Sequence, residues 1–200
     1  MATGRQNYLT KQTGEYLVAA ELSRRGFIAT TFTGNVPHYD IVAVDDAGGH
    51  ALVQVKAIAA NSWQLNVSGF ADIVFEGQRQ IVRRSLPEPY PGLICVLVQL
   101  AKPRSGLPDR FFILPWQELC QVVVSAHSKY LEKHGGVRPK KPTSLHTAIS
   151  PAHIEVWENK WDVLQNQVRP ANLPLERPGA QRTTGPDSGR LAPAAQRLSR

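Results

Sequence analysis

Cysteine is scarce in this sequence, which has two, Cys95 and Cys120, among 200 residues. Neither belongs to a Cys-x-x-Cys pair, and together they make no disulfide framework. His134, His146 and His153 have no cysteine or carboxylate partner at zinc-ligand spacing. The composition therefore argues against a disulfide-stapled or zinc-stabilised fold. It favours a reducing compartment, and we expect a cytoplasmic protein.

Long apolar runs are also lacking. No stretch approaches the roughly 20 apolar residues that span a bilayer, and the opening segment "MATGRQNYLTKQTGE" has no apolar core of a signal peptide. We therefore expect no contact with a membrane. The chain has no Walker loop, no Gly-x-Gly-x-x-Gly and no Gly-x-Ser-x-Gly motif, so nothing indicates a nucleotide-binding loop or a serine hydrolase.

The chain is basic, with a net charge of +7 and a pI of about 9.7. A basic chain favours polyanionic partners such as nucleic acid. Residues 171–200 are rich in proline, glycine, alanine and arginine, and hold +3 of this charge. We predict one α/β domain over residues 1–170, with a core at 11–116 and a C-terminal helical part at 117–170, followed by a disordered basic tail at 171–200.

The order of predicted elements favours a mixed central β-sheet flanked by helices. A capped helix is followed by three β-rich segments, the last two joined by the turn "DAGGH" into a hairpin. Two buried strands and a helix of about twenty residues follow. The final helix is predicted to begin with Ser150 as its N-cap and Pro151 in its first turn. The expected elements are a helix at 10–26, strands at 27–32, 39–45, 51–58, 93–100 and 109–116, and helices at 116–133 and from 150.

Four polar residues stand in otherwise apolar elements. Gln54 and Lys56 share one face of the segment "HALVQVKAIA", roughly 7 Å apart, and burying them without partners costs several kcal/mol. Asp40 opens the preceding strand and falls opposite or next to Gln54 if the hairpin turn is short. Glu15 shares the apolar stripe of the first helix, with Val18, Ala19 and Leu22.

These side chains are suited to holding a hard cation. Oxygens of Asp40 and Gln54 can ligate Mg²⁺, the Val55 carbonyl can add a third oxygen, and Glu15 can complete the shell directly or through water. Such an ion binds a phosphate oxygen and acidifies a water molecule. Lys56 can position that water or stabilise the charged transition state.

The segments "GEYLVAAELSRRGF", "YDIVAV" and "ALVQVKA" resemble the core of the PD-(D/E)XK nuclease superfamily, in particular archaeal Holliday junction resolvases and Mrr-like restriction endonucleases. The resemblance covers about residues 11–60. In that pattern a helical glutamate, a strand aspartate and an (E/Q)xK strand form the metal site, and they match Glu15, Asp40, Gln54 and Lys56. It implies a restriction-endonuclease-like core and a Mg²⁺-dependent endonuclease, with Mn²⁺ as a substitute, that hydrolyses phosphodiester bonds in DNA.

The sequence departs from this pattern at two positions. Gln54 stands where much of the superfamily has a glutamate, so the site carries one negative charge fewer and is predicted to hold metal more weakly. The Mrr-like group resembles this chain in using glutamine there. The motif's proline is displaced, because Pro37 lies three residues before Asp40.

Each site residue also has a structural alternative. Asp40 can be a cap or turn residue, Lys56 can extend its ammonium from a sheet edge, and Glu15 can favour the helix dipole. The alternative function is a catalytically silent nuclease-fold protein that binds nucleic acid or a partner, and an unrelated fold also stays open. Residues alone do not separate DNA from RNA. A cut through both strands usually needs two active sites, which is compatible with a homodimer.

Overall fold

The computed structural model describes residues 4–32 and 37–168. The predicted tail at 171–200 lies outside these residues. Short 3₁₀ turns occupy Val67–Gly69, Pro151–His153 and Glu155–Trp157. The helices and strands, in chain order, are α1 (Gly4–Arg24), β1 (Ile28–Thr31), β2 (Ile41–Val44), β3 (His50–Ile58), β4 (Trp63–Asn66), β5 (Ala71–Glu76), β6 (Arg79–Ser85), β7 (Ile94–Gln99), β8 (Arg110–Pro115), α2 (Trp116–Lys133), β9 (His146–Ile149) and α3 (Asp162–Gln167).

A five-stranded mixed sheet forms the centre of the molecule, in the order β1-β2-β3-β7-β8. β3 and β7 are parallel, and the other neighbouring pairs are antiparallel. The predicted mixed sheet flanked by helices is therefore confirmed. β3 is a central strand with a partner on each side, which explains its nearly continuous apolar sequence.

The two faces of this sheet carry separate apolar cores. Strand alternation sends Val53 and Val55 toward α1 and α3, where they pack with Val18 and Leu22. The other face is covered by α2 and by the small sheet of β4 and β9, around Trp63 and Phe112. The rings of Trp63 and Phe112 meet edge to face, with centroids 5.8 Å apart. Both faces of the sheet are therefore covered by other elements.

The chain between the parallel strands β3 and β7 is itself made of strands. β4 leaves the end of β3 and pairs with the distant β9, and β5 and β6 form an antiparallel hairpin. A hydrogen bond between Gln80 of β6 and His127 of α2 joins this region to the helix. The crossover therefore builds a second layer on the sheet face opposite α1.

The helices differ from the sequence prediction at their ends. The sequence predicted a first helix that begins near residue 10, with Thr10 or Thr13 as its cap, but α1 begins at Gly4 and both threonines lie inside it. The predicted final helix is broken into two 3₁₀ turns and the short α3, although Ser150 does cap the first turn through a capping box with His153. In the described part of the chain, no helix combines the length and apolar character that crossing a membrane requires.

Candidate active site

Gly14 brings α1 into direct contact with β3. A Cβ at this position would collide with the Cβ of Ala57 and lie 3.6 Å from Val55 Cγ1. A glycine inside a helix costs about 1 kcal/mol relative to alanine, and here it allows close approach of the helix to the strand. Glu15, the next residue, is thereby held beside the C-terminal half of β3.

Asp40 marks the point where β2 separates from β3. Its N–H donates to the Val53 carbonyl (2.8 Å), and its Oδ2 accepts a hydrogen bond from the Val55 N–H (2.8 Å). The carboxylate thus takes the place of the next main-chain acceptor in the ladder. Beyond Asp40 the two strands separate and leave a gap between β2 and β3. The N–H and C=O of a strand residue point to the same side of the strand, so the Val55 carbonyl faces this gap, as its N–H does. His38, just before the gap, has a φ of 72°, which turns the chain away.

Lys11 joins the two predicted carboxylates. Its Nζ lies 3.3 Å from Glu15 Oε1 and 3.5 Å from Asp40 Oδ1. The side chain of Lys11 is 56% exposed, whereas those of Glu15 and Asp40 are 14% and 15% exposed. Partial burial opposes the charge of Lys11, but the carboxylates of Asp40 and Glu15 outweigh it and raise the lysine pKa above its ordinary value. The structure therefore gathers Glu15 and Asp40 around a single cation.

Glu15 has an unusual environment for a carboxylate. Its Oε1 atom is buried and accepts no hydrogen bond from the residues that the structure describes. The Lys11 ammonium lies 3.3 Å from this atom. Against the effect of partial burial, the charge of Asp40, the charge of Glu15 and the long, poorly aligned Glu15 contact raise the lysine pKa. A buried carboxylate oxygen paired with an exposed, flexible ammonium is suited to exchange that ammonium for another cation.

Gln54 and Lys56 lie on the face of β3 opposite α1. They are register neighbours of Cys95 and Leu97 on β7, which belong to the core beneath α2. Both are half-buried, and neither side chain forms a hydrogen bond or ion pair with another described residue. The Lys56 main chain is fixed, because its carbonyl accepts a hydrogen bond from the buried indole N–H of Trp63 (2.8 Å). The two side chains flank Val55, whose N–H is bonded to Asp40.

Cys95 lies beside this group but is chemically unsuited to take part. Complete burial raises the pKa of its thiol to about 12; the charge of Lys56 opposes this rise, while Glu88 and Asp40 add to it. Burial also raises the pKa of Cys120, whose Sγ lies 3.2 Å from the Phe70 carbonyl. Both cysteines are therefore neutral thiols near pH 7, and neither is an activated nucleophile.

The donor set fits a hard divalent cation. The two carboxylates and the Val55 main-chain carbonyl offer oxygen, which Mg²⁺ and Mn²⁺ prefer. In the part of the chain that the structure describes, neither Gln54 nor Lys56 joins Glu15 or Asp40 through a hydrogen bond or ion pair. Among the described residues, no group of three or more histidine, cysteine, aspartate or glutamate side chains is placed to hold a metal. The grouping of Glu15 with Asp40 has two carboxylates. The burial of Glu15 Oε1 without a well-aligned hydrogen bond is the observation that supports the fit.

Sequence reasoning missed Lys11 and the aromatic side chains around Asp40. Lys11 stands four residues before Glu15, a spacing that predicts an ion pair on a helix. Its contact with Asp40 depends on how α1 lies against the sheet, which no local pattern shows. The Tyr39 ring packs edge to face against Phe32 and Tyr90, with centroids 5.6 and 5.4 Å apart, and this cluster supports the chain just before Asp40.

Comparisons with known proteins give one structural likeness. No family model matches the chain, and no curated protein matches its sequence. Among solved structures, the chain is similar to a bacterial homing endonuclease, I-Ssp6803I, at 19% sequence identity and a TM-score of 0.33. The alignment covers 59% of this chain and 72% of the other. Similarity at this level does not define a function, so the functional assignment rests on the side chains.

Proposed function

We propose that this protein is a Mg²⁺-dependent endonuclease with a restriction-endonuclease-like core, which hydrolyses phosphodiester bonds in DNA. The observation that carries the proposal is the gathering of Glu15 and Asp40, from different elements, around one cation beside the Gln-x-Lys segment of β3. This is the order of residues that resembles the PD-(D/E)XK pattern. DNA is the substrate class that the resemblance implies.

Each residue has a proposed role in the reaction. Glu15, Asp40, Gln54 and the Val55 carbonyl would hold the ion. When bound, the ion supplies positive charge to the phosphate and lowers the pKa of a water molecule. Asp40 is oriented for this role by the Val55 N–H. Lys56 would bring an ammonium to the phosphate, where negative charge grows as the water oxygen bonds to phosphorus and the bond to the leaving oxygen breaks.

Cleavage of defined DNA substrates tests the proposal. Supercoiled, linear and branched DNA would be incubated with the protein in Mg²⁺, Mn²⁺ or EDTA. We expect cleavage that needs metal and that falls by about a hundredfold in Lys56→Ala, because a charge is lost from the transition state. Lys160→Ala removes an exposed cation near α3 and is expected to cleave like the wild type. Cleavage in EDTA, or full activity of Lys56→Ala, would contradict the proposed roles.

A second candidate function is supported by Lys11 and Gln54. Lys11 already compensates both carboxylates, and Gln54 contributes no charge, which would suit a nuclease fold that binds nucleic acid or a partner without cutting. In that case the folded wild type cuts none of the substrates, and Asp40→Ala and Lys56→Ala bind DNA as the wild type does.

A homodimer would place two sites on a duplex, and light scattering of the DNA complex tests that arrangement.

A further inference from the structure

We infer that Lys11 is an internal counter-ion of the candidate metal site, which a divalent cation must displace. The inference rests on the proposed function, because it takes Glu15 and Asp40 as metal ligands. In the metal-free protein the Lys11 ammonium neutralises part of the charge of both carboxylates. When a metal binds, the lysine leaves this position and the two oxygens turn to the metal. Lys11 thus sets how tightly the site holds its cation.

The reach of Lys11 supports this role. A lysine four residues before a glutamate forms an ordinary ion pair on one helix, and Lys11 and Glu15 meet this description. Lys11 also forms a second ion pair outside the helix, because the same Nζ lies 3.5 Å from Oδ1 of Asp40, just before β2. One ammonium therefore links the helix to the strand at the two oxygens that a metal would need.

The difference in exposure determines which group moves. Asp40 is anchored through Oδ2 to the Val55 N–H, and this leaves Oδ1 for a cation. Glu15 is held on a helix that packs directly on β3. The Lys11 side chain is 56% exposed and flexible, so it can turn into solvent without moving either backbone segment. The carboxylates remain in place while the lysine is exchanged.

Another ion pair on α1 shows what a fixed contact looks like. The Glu21 carboxylate accepts hydrogen bonds from the guanidinium groups of Arg24 and Arg25. The Lys11 ammonium, in contrast, is shared between Glu15 Oε1 at 3.3 Å and Asp40 Oδ1 at 3.5 Å. Both distances are longer than the 2.8 Å contact of Arg24 with Glu21. The Lys11 contacts are thus long and divided between two carboxylates, and a divalent ion with twice the charge can replace them.

Metal binding to matched variants tests the inference. Mn²⁺ would be titrated calorimetrically into the wild type, Lys11→Gln and Arg24→Gln, all in low salt and without DNA. Each variant removes one positive charge from α1, so the change in net charge is the same in both. We expect Lys11→Gln to bind Mn²⁺ about tenfold more tightly than the wild type, because no ammonium has to leave. Arg24→Gln should stay within about twofold of the wild type.

Thermal unfolding adds a second readout. In EDTA, Lys11→Gln should melt below the wild type, because Glu15 and Asp40 then repel each other without a counter-ion. Mn²⁺ should raise the melting temperature of Lys11→Gln by more than it raises that of the wild type. Lys11→Arg keeps the charge and should bind Mn²⁺ no more tightly than the wild type.

The outcomes separate this inference from the proposed function. Equal Mn²⁺ affinity in the wild type and in folded Lys11→Gln would show that no displacement occurs, and would overturn the inference while the metal site stands. Absence of Mn²⁺ binding in both proteins, each folded by circular dichroism, would overturn the metal site and the inference with it. A tenfold gain in Arg24→Gln as well would assign the effect to net charge, and would also overturn the role of Lys11.

Discussion

At the scale of single residues, Gly14 allows α1 to pack closely against β3 and so positions Glu15. It is buried against Ala57, and it lies between Lys11 and Glu15 on α1. The sequence alone predicted that Glu15 shares the apolar stripe of the helix. It could not predict that a missing side chain one residue earlier brings this glutamate to β3, because a single glycine in a helix has many explanations.

Gly14→Ala should therefore destabilise the protein. The new Cβ meets the Cβ of Ala57, and overpacking of this kind costs about 1–3 kcal/mol, more than alanine gains in helix propensity. Urea unfolding measures the change. Gly4→Ala is the matched control, since a Cβ there meets no atom of another described element within 4 Å. Ala57→Gly added to Gly14→Ala should restore part of the loss, and no loss in Gly14→Ala would contradict the close approach.

The proposed role of Gln54 as a metal ligand can be tested by adding a negative charge at this position. We predict that Gln54→Glu raises the affinity for Mn²⁺ by about tenfold, because a third carboxylate next to Asp40 adds negative charge where the cation binds. Calorimetric titration measures the affinity. Gln64→Glu adds the same charge on the exposed side of β4 and is expected to have little effect. Equal gains in the two variants would show that Gln54 is not at the metal.

At the scale of elements, the hairpin of β2 and β3 was the most predictable part of the fold. The short turn and the alternation of apolar residues predicted its register, and Ile41 pairs with Val53 so that Asp40 stands next to Gln54. The segment "SWQLNV" is extended by composition and "VRPKKPTSLH", residues 137–146, is a basic, proline-broken connection, but nothing in either predicted the pairing of β4 with β9. These strands are separated by about eighty residues in the chain. A four-residue strand with a distant partner leaves little local pattern.

A buried polar network joins α2, β6 and β9. Gln80 Nε2 donates to the Pro142 and Ser144 carbonyls, so its Oε1 is free to accept from His127 Nε2–H (3.0 Å). His127 Nδ1 then accepts from the Thr147 hydroxyl (2.7 Å). The neutral histidine satisfies both partners, and a protonated ring would have a donor facing Thr147. This network ties the crossover layer to the helix that covers the sheet.

His127 should make the stability of the protein depend on pH. Burial, assisted by the charge of Arg138, lowers its pKa from 6.5 to about 4. The unfolded chain binds the proton more readily, so this contribution is complete above pH 6.5 and is lost as the pH falls toward 4. His127→Phe should lower stability at pH 7 by about 1–3 kcal/mol, because Thr147 and Gln80 lose their partner.

Unfolding in urea at a series of pH values measures this dependence. Between pH 6.5 and 4 the curve of His127→Phe should be flatter than that of the wild type. His146→Phe, at an exposed position of β9, should keep the wild-type slope. Parallel curves for the wild type and His127→Phe would contradict the neutral, buried histidine.

At the scale of the whole molecule, the sheet has cores on both faces and a polar gap where β2 leaves β3. The segments that resemble the nuclease pattern lie within about residues 11–60, and the structure places them in α1, β2 and β3. The gathering of Glu15 and Asp40 was predictable from that pattern. The bridging by Lys11 was not, because it depends on the packing of a helix on a strand. Magnesium binding and DNA cleavage stay predictions, and so do the roles of Glu15, Asp40, Gln54, Val55 and Lys56.

Plasmid nicking by the wild type and by Asp40→Asn tests the central claim most directly. Asparagine keeps an oxygen that can accept the Val55 N–H, so the hairpin is preserved while the carboxylate charge is lost. Cleavage would be followed in Mg²⁺, and DNA binding in Ca²⁺. The account predicts that the wild type nicks DNA in Mg²⁺, and that folded Asp40→Asn binds DNA but cuts at least about a hundredfold more slowly. A wild type that never cuts, or an Asp40→Asn variant that cuts equally fast, would contradict it.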